Sequence, residues 1–287
     1  MIGCYEVEGS DKFQRVEGII KRIKSQPQAG SVDNGHATIF HEILQSGILP
    51  ESDKTVARLK SEALIVVGAG TLTTSWALCV AIYHLLASPR ILAKLKGELT
   101  ASFDRSSGSL LSQLEQLPYL NAIIQESLRL SYGVASRLQR IPHDPLQFES
   151  PDGKSWVIPP GTPVSMTSVL LHHNESIFPN SKAFLPERWL ENPRLDKYLV
   201  AFSKGSRQCL GINLAYAEMR LCLAGIFRSF GSAKLRASGL ADEGLLKHDL
   251  GVLDLFETTK RDVEIVADGF IPLRAQDSKG VRMVVES

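Results

Sequence analysis

Cys209 is the residue of this chain best placed to do chemistry. After it, Leu210 to Phe230 hold only Glu218, Arg220 and Arg228 as charges and have the length of a buried helix. A cysteine at such a helix's N-terminus faces unpaired backbone N–H groups and the positive end of the helix dipole, conditions that favour a thiolate. A thiolate is the form that binds metals, and a soft anionic sulfur suits iron. Around it, Gly205 permits a tight turn, Gly211 lets the helix approach a flat ligand, Arg207 offers a fork for a carboxylate, and Phe202 would shield the sulfur from water. The alternative is a structural cysteine packed before a core helix.

Three other groupings have chemical potential. Glu126 and Arg129 are three apart and bridge if their segment is helical, flanked by the apolar Ile123, Ile124, Leu128 and Leu130; an isolated pair of this kind is usually a solvated surface bridge. Ala69 and Gly70 share a helical face with Thr73, leaving room for a ligand or for close helix packing. His172 and His173 are adjacent and so point apart, which argues against a shared metal.

The residues Phe202, Gly205, Arg207, Cys209 and Gly211 read F-x-x-G-x-R-x-C-x-G, and Ala215 and Glu218 extend this as C-x-G-x-x-x-A-x-x-E. The five fixed positions recur by chance in roughly one chain of this length in ten thousand or fewer. The pattern resembles the signature of the cytochrome P450 (heme-thiolate monooxygenase) family. The resemblance implies a mainly α fold with small β-sheets and heme b (iron protoporphyrin IX) ligated by Cys209, with Phe202, Gly205, Arg207, Gly211 and Ala215 around the cofactor. It places Arg137 near a heme propionate, with Arg140 the other candidate in that segment and Arg207 a second propionate partner. The implied reaction inserts one oxygen atom of O₂ into a small apolar organic substrate, with electrons from NADPH through NADPH-cytochrome P450 reductase.

Three further segments carry the resemblance. Glu126-x-x-Arg129 and Phe184-Leu185-Pro186-Glu187-Arg188-Trp189 are similar to the family's E-x-x-R helix and P-E-R-F segment, with Trp189 in the aromatic position. This implies a buried ion network of Glu126, Arg129 and Arg188 behind the cysteine loop. Ala69-Gly70-Thr71-Leu72-Thr73-Thr74 is similar to A/G-G-x-D/E-T-T/S, in which Ala69 and Gly70 make room and Thr73 handles dioxygen. Leu72 departs from the pattern, because the position is normally acidic and relays protons. The texture of the cysteine loop is most like fungal members of secondary metabolism. Full-length relatives of this type sit on the cytosolic face of the endoplasmic reticulum membrane.

These residues need a scaffold, and the 287-residue chain, 44% hydrophobic, supplies ample core. Its 32 basic and 31 acidic residues nearly balance, so net charge gives no argument for nucleic acid. Cys4, Cys79, Cys209 and Cys222 are scattered without a C-x-x-C pair, against zinc and against a disulfide framework, and fit a reducing compartment. The start, Met-Ile-Gly-Cys-Tyr-Glu-Val-Glu, has neither a basic nor an apolar run, so no signal peptide or anchor is expected in this chain, whose location is read as cytoplasmic or unknown.

The expected organisation is a single partial domain over 1–287. Its helical part, 11–133, holds a first helix over 11–25, a breaker from Pro27 to Gly35, a short helix over 38–45, a long central helix over about 53–87, another from Pro89 to Phe103, a loop from Ser106 to Ser109, and the E-x-x-R helix over about 118–131. The part 134–287 holds a small-sheet region with strands at Trp156–Ile158 and Val164–Met166, the loop 202–211, a proximal helix 210–230, and strands near Val263–Val266 and Val281–Val285.

The span Ala63 to Ser88 has no charge except on His84 and is long enough to cross a bilayer. Its Gly and Thr cluster favours a helix buried by protein on all sides, yet too few amphipathic elements precede it to cover every face. The chain is therefore expected to correspond to the C-terminal half of the family, to expose apolar surface and to bind heme weakly. Other readings are an inactive heme-binding remnant, a P450-fold isomerase, dehydratase or peroxygenase without a reductase, and a single-span membrane protein. Lys204, Arg220 and Arg228 would either form a basic face for an acidic reductase or be ordinary solvated charges.

Overall fold

In a computed structural model, residues 9–25, 38–103, 109–150 and 152–286 are described. Cys4, the N-terminal segment 1–8, the breaker Pro27–Gly35 and residues 106–108 of the expected loop lie outside them. The chain divides into two compact units, Met1–Leu72 and Thr73–Ser287.

In the first unit, α1 (Gly9–Ser25) and α2 (Ile39–Gln45) precede the start of α3 (Val56–Ala87). Ile20 and Ile23 of α1 are buried, as are Leu59 and Ala63. Glu17 bridges Lys21 at 2.8 Å and Lys60 at 2.7 Å, tying α1 to the beginning of α3. The long helix starts at Val56, not near residue 53, because Glu51–Lys54 forms a separate 3-10 turn that Thr55 ends in an extended conformation.

The second unit contains the rest of α3, then α4 (Pro89–Phe103), α5 (Leu110–Glu115), α6 (Pro118–Ser131), α7 (Ser168–His172), α8 (Glu187–Glu191), α9 (Ile212–Ser229), α10 (Ala233–Ala237) and α11 (Glu243–Leu246). Its core joins Ala81 and Leu85 of α3, Leu95 of α4, Ile123 of α6 and Leu223 and Phe227 of α9, all at most 2% exposed. Seven short strands make three small sheets among the described residues. β1 (Leu146–Glu149) pairs antiparallel with β2 (Ser155–Ile158), Leu146 opposite Ile158. β3 (Phe230–Gly231) runs parallel to β4 (Gly251–Leu255), which pairs antiparallel with β7 (Met283–Glu286). β5 (Ala267–Gly269) and β6 (Ile271–Leu273) form a hairpin. The architecture is mainly α with small β-sheets.

Several expectations need correction. Val164–Met166 is not a strand, since only Val164 pairs, with Arg140. Toward Thr162 the bridge cannot lengthen, because the next hydrogen-bonded pair would need an N–H from Pro142, and toward Met166 no ladder pairing with Leu138 continues it. Val263–Val266 is not a strand either. Val263 closes the 3-10 turn Lys260–Asp262, and pairing begins with the donation from Val266 N–H to Leu273 at 2.9 Å. The last strand starts at Met283, where a partner in β4 is available, and not at Val281. The proximal helix is Ile212–Ser229, shorter at both ends than 210–230.

The central helix is not buried on all sides. Ile65, Val66 and Val67 are 65%, 53% and 60% exposed, whereas Val80, Ala81, Leu85 and Leu86 are fully covered. Only 28% of its most apolar window is buried, so the expectation of exposed apolar surface holds. By length and composition α3 would cross a bilayer, a test that core helices of soluble proteins also pass.

Candidate functional site

Local sequence explains why α6 carries Glu126 and Arg129 inward. Pro118 occupies the first turn, where a missing N–H costs nothing, and the helix stops at Tyr132, which is left-handed at φ 64°. The buried side of the helix is largely apolar, and Glu126 and Arg129 are held within it at 0% exposure. Oε1 of Glu126 accepts from Nη2 of Arg129 at 2.8 Å, from the Leu185 N–H at 2.9 Å and from Nε of Arg188 at 3.2 Å. Oε2 accepts from Nε of Arg129 and from the Trp189 indole N–H, both at 2.9 Å. Five donors thus satisfy one buried carboxylate, and Arg129 and Arg188 come together as the sequence suggested.

Arg129 distributes its remaining protons over main-chain carbonyls: His172 at 2.8 Å, Ser181 at 2.7 Å and Ala183 at 3.1 Å. Its guanidinium also lies over the Phe178 ring, 5.2 Å from the centroid. The Arg129 carbonyl meets Nδ1 of His172 at 2.8 Å, and Nε2 of His172 accepts from the Val200 N–H at 3.0 Å. Because Val200 can only donate there, the ring proton belongs on Nδ1 and the imidazole is neutral. Burial first, then the neighbouring Arg129 charge, push the His172 pKa down to about 3.

Val200 opens the cysteine loop. Its carbonyl accepts from Ser203 at 2.8 Å, and the Phe202 carbonyl accepts from the Cys209 N–H at 2.9 Å, closing the loop on itself. Ser203 and Gly205 are left-handed at φ 59° and 77°, so the turn depends on a permissive backbone. Gly205–Arg207 form a 3-10 turn, and Gly211 caps α9, its carbonyl accepting from Ala215 at 2.9 Å. Cys209 therefore lies two residues before the cap, not at the first helical turn. Phe202 packs on Tyr216 with ring centroids 5.5 Å apart.

On the other side, Gly133, at φ 66°, lies against the loop. A Cβ there would run into the Ala201 carbonyl. Arg140 reaches Ser203 Oγ at 3.5 Å, which brings that arginine to the loop. Arg137 is exposed and lines an open cleft of about 690 Å³ with Ala135, Thr167, Leu170, Val266 and Asp268. Arg207 is also exposed. Ala69, Gly70 and Thr73 lie on α3; Ala69 and Gly70 are exposed, and a Cβ at Gly70 would meet no described atom within 4 Å.

A planar heme needs a reachable sulfur with little bulk beside it. Cys209 is exposed on an open loop, and the glycine at 211 adds no side chain beside Sγ, so the residues present fit the group. Among the described residues no group of three or more His, Cys, Asp or Glu is placed to hold a bare metal ion.

The family model for cytochrome P450 matches residues 12–243. The chain is 48% identical over 280 residues to cytochrome P450 monooxygenase tpcC of Cochliobolus heterostrophus, covering 95% of this chain and 51% of that protein. It is 46% identical to cytochrome P450 monooxygenase astB of Talaromyces wortmannii, with 95% and 53% covered. N-acetyltryptophan 6-hydroxylase ivoC of Emericella nidulans is 40% identical, with 85% and 44% covered. A crystal structure of a cytochrome P450 superposes with a TM-score of 0.67 over 96% of this chain and 55% of that one, at 19% identity, which shows the fold. The chain belongs to the cytochrome P450 family. It spans about half the length of the curated relatives it matches.

The His172 bridge escaped sequence reasoning, which weighed the histidine only as a metal ligand. Its partners are main-chain groups 43 and 28 residues away, and no side-chain pattern announces them.

Proposed function

We propose that this chain is the cysteine-bearing part of a fungal secondary-metabolism monooxygenase that inserts one oxygen atom of O₂ into a small apolar organic substrate. The observation that carries the reading is the exposed Cys209 sulfur on a loop hydrogen-bonded back to the buried Glu126–Arg129 network. Cys209 would hold heme iron, Arg207 with Arg137 or Arg140 would pair the propionates, and Phe202, Gly205, Gly211 and Ala215 would border the ring. When bound, heme supplies the activation of dioxygen, fed by NADPH through a reductase. The protein's own contribution is to aim the sulfur, exclude water beside it with Phe202, and offer the Thr73 hydroxyl as a proton-holding group. The whole enzyme would work at the cytosolic face of the endoplasmic reticulum.

Leu72 favours a second reading, a P450-fold isomerase, dehydratase or peroxygenase that needs no reductase, since leucine neither holds nor passes a proton.

Titrating the chain with hemin, then reducing it under carbon monoxide, tests the first step. The wild type should give the red-shifted band of thiolate-ligated heme, and Cys209→Ser should lose it. An identical spectrum for the two would sink the assignment. NADPH and reductase dependence of turnover separates the two readings.

A further inference from the structure

We propose that His172 is a positioning residue for the cysteine loop, a neutral ring that transmits the placement of α6 to the sulfur through two main-chain hydrogen bonds. This rests on the reading of Cys209 as the heme ligand. Nδ1–H donates to the Arg129 carbonyl at 2.8 Å, and Nε2 accepts from Val200 at 3.0 Å. From Val200 the path continues within the loop, since its carbonyl holds Ser203 and the Phe202 carbonyl holds Cys209. The ring is 0% exposed, so neither bond has water as a substitute.

Among the described residues the same face offers no equivalent second bridge. Neighbouring His173 turns the other way, to Tyr132 Oη at 2.6 Å and Ser181 Oγ at 3.2 Å, within the segment behind the loop. Gly133 limits the loop sterically at Ala201, whereas His172 supplies the attraction at Val200. A hydrogen bond to Val200 and a close backbone approach at Ala201 meet at adjacent residues where the loop begins.

The two ring nitrogens separate by substitution. His172→Asn keeps an amide near Nδ1 and loses the acceptor for Val200. His172→Gln places its amide oxygen near Nε2 and keeps that acceptor. Amide hydrogen exchange on the full 287-residue chain reads the result directly, without any cofactor. In His172→Asn the amides of Val200, Ser203 and Cys209 should exchange about tenfold faster, the scale of one lost buried hydrogen bond, with the α6 amides unchanged. In His172→Gln, which keeps the acceptor for Val200 and gives up the donation to the Arg129 carbonyl, the Val200 amide should stay within about twofold of wild type.

Uniform acceleration across the chain in both variants, or an unchanged loop in His172→Asn, would overturn the proposal. If neither variant folds, nitrogen NMR of the wild-type ring decides, and a proton on Nε2 refutes the bridge. Hemin added to the same samples distinguishes the two levels. A wild type that takes up no hemin defeats the monooxygenase reading and leaves the exchange result to judge the positioning. Where hemin binds, His172→Asn should lose the thiolate carbon monoxide band and His172→Gln should retain it.

Discussion

The indole N–H of Trp189 donates to Oε2 of Glu126 at 2.9 Å, inside a site where the carboxylate has no exposure. An aromatic residue in the segment after Phe184 is thus a hydrogen-bond donor as well as a packing element. It completes a carboxylate that two arginines and one main-chain N–H already engage.

The network's members should differ in cost. Glu126→Ala leaves the Arg129 and Arg188 guanidinium groups buried against no anion and should destabilise the chain by about 3–5 kcal/mol. Trp189→Phe removes one donor of five and keeps the ring, at about 1 kcal/mol. Urea unfolding measures both, and equal losses would refute this ranking.

A second buried pair lies elsewhere in the core. Lys96 Nζ meets Oδ1 of Asp249 at 2.5 Å and donates to the carbonyls of Phe227 at 3.0 Å and Phe230 at 3.4 Å, closing the C-terminal end of α9. Both side chains are 2% exposed. Lys96→Met should cost about 3–5 kcal/mol by stranding the carboxylate, and adding Asp249→Asn should recover a substantial part. Strictly additive losses in that cycle would show that the pair does not couple.

Buried histidines make stability depend on pH, His84 and His172 most strongly. Burial lowers His84, stacked on Phe184 at 4.4 Å, to about 4, and lowers His172 to about 3, both from 6.5. Unfolded rings accept protons that folded rings refuse, so stability is full above pH 6.5 and falls as pH drops toward those values. Each ring contributes roughly 1.4 kcal/mol per pH unit in that window. The Glu98 carboxyl, pushed up by burial, works in the opposite direction, and His173, lowered by burial, works in the same direction as the two rings. His84→Phe should keep the stacking and reduce the slope by about one ring's worth. A flat urea profile from about pH 7 to about pH 5 would contradict this.

Leu72 makes a prediction about electrons. In preparations that turn over with a reductase, Leu72→Asp should raise the fraction of NADPH oxidation that ends in product by roughly tenfold or more. Product formed per NADPH consumed is the measurement, and no change would remove Leu72 as the weak point of the Ala69–Thr74 segment.

The helices α4 and α6 were legible to both ends, because Pro89 and Pro118 sit where a helix begins and the apolar spacing runs unbroken to Phe103 and Ser131. The fate of α3 was not. An absence of charge marks a segment that water would not choose, but says nothing about which neighbours cover it, and Ile65–Val67 stand open. The strands were only partly legible, since elements of two to five residues owe their limits to partners far along the chain. Of the site, the Cys209 loop could be marked out from its residue types and spacing, whereas the Glu126, Arg129 and Arg188 grouping was legible only through the family resemblance, since spacing alone reads Glu126 and Arg129 as a surface pair. His172 and Gly133 were legible by neither route, because each acts on main-chain atoms of Val200 and Ala201.

Gly133 has one more implication. With its missing side chain pressed on the Ala201 carbonyl and its φ at 66°, the joint after α6 has no slack in either length or thickness. It behaves as a shim whose thickness is one hydrogen atom. Alanine scanning, which treats the methyl group as a neutral probe, would at this position act as an insertion, displacing a cysteine eight positions downstream of the residue struck. Lineages that vary the loop around Cys209 freely in composition would therefore be held to a single residue at a site that never touches the sulfur.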